Sequence, residues 1–182
     1  MAGAGGGGDG DPDMIRLLDR DDVDAFTQLR REALLDSPLA FASSPDDDVA
    51  AEVGAARAQL ERAPDAVVFG AFEDTLVGML GLGRDRHLKS AHKAHVWGMY
   101  VAPHHRRNGL GARLLEAAIE HAQSLPGVEW LQLSVSSAAP GARALYESAG
   151  FLPWGSEPDA LRYGGEVTTE LHMALRLDLA NP

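Results

Sequence analysis

The chain of 182 residues, 45% hydrophobic and 24% charged, suits one globular domain with a real core and is short for two. Sixteen Lys and Arg against 27 Asp and Glu give a formal charge of −11, which argues against nonspecific nucleic-acid or anionic-membrane binding, where a basic surface is needed. Cysteine is absent, which excludes disulfides, thiolate metal sites and acyl-cysteine intermediates.

Residues 1–13, MAGAGGGGDGDPD, hold six of the 20 glycines, three aspartates and no cation. Such a segment has nothing to bury and reads as a disordered leader. No apolar run reaches 18 residues, and the start lacks the basic and apolar stretches of a targeting signal, so a cytoplasmic protein is expected. One domain is expected over residues 14–177, followed by a tail at 178–182.

Met14–Leu18 opens that domain as an edge strand. Asp19 is placed to cap a helix whose Val23, Phe26, Leu29 and Ala33 recur at helical spacing, and Ser37-Pro38 breaks it. The acidic run Asp46-Asp47-Asp48 reads as the N-terminal cap region of a second helix rather than a metal site, with Val49, Val53, Ala56 and Leu60 on one stripe. Ala66–Phe72 and Leu76–Arg84 form a hairpin through Glu73-Asp74. In the next strand, strict alternation puts His95, Trp97, Met99 and Val101 on one face, with Ala94, Val96, Gly98 and Tyr100 on the other. After Pro103 the period changes. Leu110, Leu114, Ala118 and Ala122 then form the apolar stripe of a helix closed by Pro126-Gly127. A strand at Leu131–Val135 follows, then a helix from Pro140 to Ser148 with Gly150 as its left-handed cap. Phe151–Trp154 and Thr169–Leu177 close the chain as strands. The order β-α-α-β-β-β-α-β-α-β-β predicts an α/β domain with a mixed sheet and helices on both faces.

The chemistry concentrates at V-A-P-H-H-R-R-N-G-L-G-A, Val101–Ala112, where a strand ends, a cationic glycine-bearing loop follows and a helix starts at once. Unpaired amides at a helix N-terminus, with its positive dipole end, make an anion site. Gly109 and Gly111 would let phosphate oxygens approach the backbone, and Arg106 and Arg107 add charge. The stretch lacks the Gly-Lys-Ser/Thr of a phosphate-binding P-loop and the third glycine of a dinucleotide fingerprint. His92 and His95, three apart in a strand, point to opposite faces, and adjacent His104 and His105 do not chelate one ion easily, so no metal site is expected. His121 falls at the wet edge of its helix.

Arg106-Arg107-Asn108-Gly109-Leu110-Gly111 resembles the pyrophosphate loop, Arg/Gln-x-x-Gly-x-Gly/Ala, of the GNAT superfamily of N-acetyltransferases. The downstream strand Leu131–Val135 and Ala142-x-x-Leu145-Tyr146-x-x-x-Gly150-Phe151 resemble a second element of the same family, and the likeness runs from about Met14 to Leu177. The resemblance implies a mostly antiparallel central sheet of six to seven strands with a splayed central pair. It also implies direct acetyl transfer from acetyl-CoA to an amine, consistent with the missing thiol. By the same resemblance, pantetheine would pair with main-chain groups of Met99, Tyr100 and Val101, and the pyrophosphate would rest on Arg106, Arg107, Asn108, Gly109, Leu110, Gly111 and Ala112. Tyr146 is implied as general acid to the CoA thiolate.

Two positions depart from the family pattern. An asparagine frequent in relatives is Ala139 here, so its contact is missing or comes from Ser136 or Ser137. The usual glutamate base aligns with His95, whose imidazole, ordinarily near pKa ~6.5, suits proton uptake; a packed histidine beside Trp97 is the competing reading, and His172 and Glu170 are alternative bases. Trp97, Trp154, Tyr163 and Ala40–Pro45 are candidates for lining an acceptor pocket. The acceptor is read only as an amine, on a small molecule, a peptide or a protein. A homodimer is a further implication of the resemblance. The rival reading is an acyl-CoA-binding regulatory module that has lost a competent base.

Overall fold

The computed structural model describes residues 14–177, so the expected leader and tail lie outside the described residues. Seven strands form one sheet: β1 (Met14–Leu17), β2 (Ala66–Phe72), β3 (Leu76–Arg84), β4 (Lys93–Val101), β5 (Trp130–Ser136), β6 (Leu152–Tyr163) and β7 (Glu166–Arg176). Their order is β1-β2-β3-β4-β5-β7-β6. Only β4 and β5 are parallel; every other neighbour is antiparallel. Four α-helices, α1 (Val23–Asp36), α2 (Val53–Leu60), α3 (Leu110–Ser124) and α4 (Pro140–Ser148), and four short 3-10 turns complete the described elements.

The helices cover both faces because the strands are apolar on both. From β2, Val67, Phe69 and Ala71 pack with Leu110, Leu114, Leu115, Ala118 and Ala122 of α3. Val68 enters the opposite layer with Phe26, Leu29 and Ala33 of α1 and Ala56 and Leu60 of α2. Fully burying one such Val, Leu or Phe contributes about 1.5–3 kcal/mol, so the two layers hold the sheet from either side.

Several expectations change in the structure. Asp19 caps a short 3-10 turn, Arg20–Asp22, that leads into α1, and Asp22 returns the bond to the Asp19 amide in a capping box. The second helix begins only at Val53. Val49 sits in a separate 3-10 turn and is 75% exposed, and Val53 is also exposed, so Ala56 and Leu60 alone carry the buried stripe. Asp48 makes no cap bond; its carboxylate is buried against Arg30 of α1. The helix-cap reading of the acidic run therefore fails, because a buried guanidinium offered that carboxylate a stronger partner.

β4 is the larger correction. Met79 pairs with Tyr100 and Gly81 with Trp97, so Gly98 and Met99 together face Leu80 across a bulge. Gly98 takes φ +63°, a left-handed conformation that suits glycine. The extra residue flips the alternation. Trp97 and Tyr100 lie in the α1 layer, whereas Val96, Met99 and Val101 lie in the α3 layer.

The last two strands are also longer than their periodicity indicated. β6 runs twelve residues to Tyr163, well past Trp154, turns through Gly164 and Gly165 at positive φ, and pairs with β7 from Glu166 onward, while Leu177 falls just outside β7. Pro153 and Pro158 and the register shifts at Pro153/Gly155 and Glu157/Leu161 break the simple alternation by which a strand is recognised.

Candidate active site

β4 and β5 pair only over Lys93–His95 and Trp130–Gln132. Past that point the strands diverge, leaving the β5-facing backbone edge of Val96–Val101 without a strand partner. Two cavities occupy the fork. One, of about 760 Å³, is bordered by Met99, Tyr100 and Val101 of β4, the start of α3, and Tyr146 of α4. The other, of about 590 Å³, is bordered by His95, Trp97, Trp154, Glu170 and His172, with Arg30 from α1. Val96, Trp97, Gly98 and Ser134 border both, so the two compartments adjoin where the sheet opens.

In the larger compartment the anion-binding features are mainly backbone. No side chain caps the N-terminus of α3, and Leu110 and Gly111, whose amides belong to its first turn, line the cavity. Arg107 at φ +65° and Gly109 at φ +82° shape the entry to the helix. The two glycines differ in their surroundings. A Cβ at Gly109 would meet no atom within 4 Å but would be strained at φ +82°; one at Gly111 would lie 3.1 Å from Met99 Cε and 3.3 Å from Leu145 Cδ2, so that glycine lets α3 approach β4 and α4. Among the named loop residues, Arg106, Arg107, Leu110 and Gly111 line the cavity, whereas Asn108, Gly109 and Ala112 do not.

Arg106 serves as a tie. Its Nε donates to the Val101 carbonyl at 2.7 Å, its Nη2 donates to Asp36 at 2.6 Å, and its guanidinium lies 5.3 Å from the Tyr100 ring centroid. The bond from Arg106 holds the Asp36 carboxyl below the usual carboxylate range, with Ser37 and Tyr100 adding to it. Tyr100 donates to Glu32 at 3.2 Å; burial first, then Asp36 and Glu32, pushes its phenol well up. His105 is likewise engaged, Nδ1 lying 2.8 Å from Glu73 Oε2. His121 is engaged with the Pro64 carbonyl at 2.9 Å.

Tyr146 is 6% exposed, tilted against Phe151, and directs its hydroxyl onto Met99 Sδ at 3.3 Å. Burial alone drives its phenol well above its ordinary value. The β4 bulge brings Met99 to this face, which strict alternation had put on the other. Ala139 borders the cavity. Of the two serines considered as substitutes for asparagine, Ser136 borders it too and accepts the Ala138 amide, while Ser137 accepts the Thr169 amide and lies outside the lining.

The smaller compartment gathers the base candidates. His95 Nε2 lies 3.2 Å from Asp85 Oδ1, His172 Nδ1 2.7 Å from Ser134 Oγ, and Glu170 borders the same space. Trp97 lies across β3, where a Cβ on Gly81 would fall 2.0 Å from its ring, and Trp154 stacks on His172 at 5.2 Å. Ala40–Ser43 contribute to the wall, but Ser44, Pro45 and Tyr163 do not. Arg30, Gln132 and Ser134 were not anticipated. Arg30 reads as one more polar helix residue, and its bidentate partner Asp48 is 18 residues away in an irregular loop. Ser134 did carry a signal, being the polar position between Leu133 and Val135 on the strand beside the fork. Among the described residues, no three His, Asp or Glu side chains are grouped to hold a metal ion, and no helix is long and apolar enough to cross a membrane.

A Salmonella typhimurium protein, yncA, whose structure was solved with its cofactor acetyl-CoA, is 22% identical at a TM-score of 0.80, with 92% of this chain and 95% of that chain covered. A GNAT-family acetyltransferase from Streptococcus pneumoniae is 23% identical at 0.78, covering 91% and 99%. A ribosomal-protein-alanine N-acetyltransferase from Brucella melitensis is 23% identical at 0.77, covering 90% and 99%. At these identities the likeness speaks to the fold. The search of curated proteins gave no match. The profile of the acetyltransferase (GNAT) family matches residues 26–151, from α1 through the loop before α3 to the end of the Tyr146 helix. The chain therefore belongs to the GNAT family of acetyltransferases.

Proposed function

We propose that this protein is an acetyl-CoA-dependent N-acetyltransferase that passes acetyl directly to a primary amine in a ternary complex. The observation that carries the reading is the fork between β4 and β5, where one compartment has the features of a cofactor groove and the other supplies proton acceptors. The groove's chemistry fits the cosubstrate. The open edge of Met99–Val101 offers amides and carbonyls to an extended amide-bearing arm, as an edge strand does. The uncapped start of α3 offers amides to a pyrophosphate.

Transfer forms a C–N bond and breaks the thioester C–S bond. A β4 amide near Met99 would polarise the thioester carbonyl. Tyr146 would donate its hydroxyl hydrogen bond to the departing sulfur. A free thiol titrates near ~8.5 and a free phenol near ~10, and burial widens that gap. Tyr146 thus acts by holding the thiolate with a hydrogen bond rather than by losing its proton outright. The amine proton goes to a base of the smaller compartment, where His95, His172 and Glu170 stand. The acceptor is a small-molecule, peptide or protein amine; the alanine of a ribosomal protein named for the Brucella enzyme belongs to that enzyme.

The test is CoA release followed with a thiol reagent, to which a chain without cysteine gives no background. Release from acetyl-CoA that depends on added amine supports the reading. Calorimetric binding of acetyl-CoA with no turnover on any amine would shift it to a regulatory module, and absence of binding would overturn both.

A further inference from the structure

Three adjacent strands place Ser134, His172 and Glu157 in a chain. Ser134 of β5 pairs in register with His172 of β7, and β6 lies on the other side of β7. Ser134 Oγ is 2.7 Å from His172 Nδ1, and His172 Nε2 is 3.5 Å from Glu157 Oε2. Trp154 of β6, stacked on the imidazole with an interplanar angle of 25°, limits its rotation. Ser134 borders both compartments, whereas His95 and His172 border only the smaller one.

We infer that Ser134 and His172 form the proton relay that deprotonates the acceptor amine, with Glu157 as a positioning residue. This rests on the acetyl-transfer reading above. Neutral His172 carries its hydrogen on Nε2 and accepts from the Ser134 hydroxyl at Nδ1. As the amine nitrogen bonds to the thioester carbon, its proton passes to Ser134 Oγ while the Ser134 proton passes to Nδ1. The C–S bond breaks, and the sulfur leaves as thiolate held by the Tyr146 hydroxyl. The imidazolium that results places Nε2–H beside the Glu157 carboxylate, which stabilises its charge. His95 differs in position. It pairs with Gln132, where β4 and β5 are still joined, and its ring is engaged with Asp85.

The groups facing His172 are Ser134 from β5, Glu157 and Trp154 from β6, and Glu170 from its own strand. Across the cavity stand His95 from β4 and Arg30 from α1, the latter balanced by Asp48. Removing Glu157 therefore takes away the carboxylate that faces Nε2–H.

Three measurements on the full chain decide the matter. The first needs no acceptor. With ¹⁵N-labelled histidine, the His172 spectrum should show hydrogen on Nε2 and an accepting Nδ1, and Ser134→Ala should move the Nδ1 resonance. An unmoved resonance, or hydrogen on Nδ1, overturns the relay. The second is CoA release with benzylamine, spermidine, glycine and an alanine-starting hexapeptide, using whichever turns over. His172→Gln should lower kcat by ~10²-fold, with KM for acetyl-CoA unchanged. Ser134→Ala should lower kcat by about 10-fold, Ser134→Thr should restore it, and Glu157→Gln should move the Nε2 resonance of His172. Wild-type kcat in His172→Gln would defeat the relay and leave acetyl transfer standing. If the wild type turns over none of these amines, acetyl transfer is weakened and the spectrum alone decides the relay. A 42 Da adduct on Ser134 after acetyl-CoA alone would also overturn it, by making Ser134 a nucleophile.

Discussion

The larger compartment of the fork presents backbone groups, the open edge of Val96–Val101 and the uncapped first turn of α3, beside side chains such as Tyr100, His105 and Arg106 that are engaged with other residues. The smaller compartment takes its polar groups from side chains, namely Arg30, His95, Ser134, Glu170 and His172, carried on α1, β4, β5 and β7. A backbone site depends on conformation, so a few residues with special φ values or tight packing specify it. A side-chain site depends on tertiary placement, and each group can be exchanged without disturbing the fold. The contrast suits a fixed cosubstrate on one side and a variable acceptor on the other.

Asp48→Ala tests the side-chain compartment most severely. Arg30 and Asp48 are 8% exposed each, and two bonds of 3.1 and 2.9 Å join them. Removing the carboxylate strands a buried guanidinium, which costs about 3–5 kcal/mol. Urea unfolding should show that loss; a loss below about 1 kcal/mol would mean that the pair does not hold this wall. Tyr146→Phe comes next, with kcat expected to fall ~10²-fold while acetyl-CoA affinity changes less than twofold. Wild-type turnover would remove Tyr146 from the reaction.

The same division explains what the sequence revealed. The loop before α3, the left-handed Gly150 and Tyr146 lie in contiguous stretches whose spacing is their signal, and the family likeness rested on them. The order of elements along the chain, a mixed sheet and helices on both faces followed from periodicity. Three features escaped. The bulge at Gly98 adds one residue to a strand that otherwise alternates without interruption, so the faces of Met99 and Tyr100 were exchanged. The Arg30–Asp48 pair joins residues with no periodic relation. The β6–β7 hairpin continues through prolines and register shifts that resemble loop composition. In each case the deciding contact comes from a distant segment.

Smaller changes sharpen the contrast. Gly109→Ala forces a residue with a Cβ into φ +82°, at about 1 kcal/mol. It should raise KM for acetyl-CoA several-fold, whereas Asn108→Ala, outside the lining, should leave it within about twofold. Equal effects would show that the loop works through its side chains after all. On the hairpin, Thr168 is 5% exposed and its Oγ1 has no hydrogen-bond partner. Thr168→Val removes that unpaired hydroxyl at similar volume and should stabilise the protein by about 1 kcal/mol, read as a raised urea midpoint.

The smallest expected effect concerns the Arg106–Asp36 tie in the backbone compartment. Arg106 depresses the Asp36 carboxyl, so Asp36 loses its proton more readily folded than unfolded. The tie is then fully present above the ordinary carboxylate value of ~3.9 and fades as pH falls through the lower folded value. Wild type should exceed Asp36→Asn in stability near neutrality by a few tenths of a kcal/mol, as befits an exposed pair, and the difference should close as pH drops below about 4. Asp22, depressed by Arg16, titrates in the same direction but in both proteins alike, so it cancels from the difference. A gap in urea midpoints that stays constant down to pH 3 would mean that Asp36 positions Arg106 by packing and not by charge.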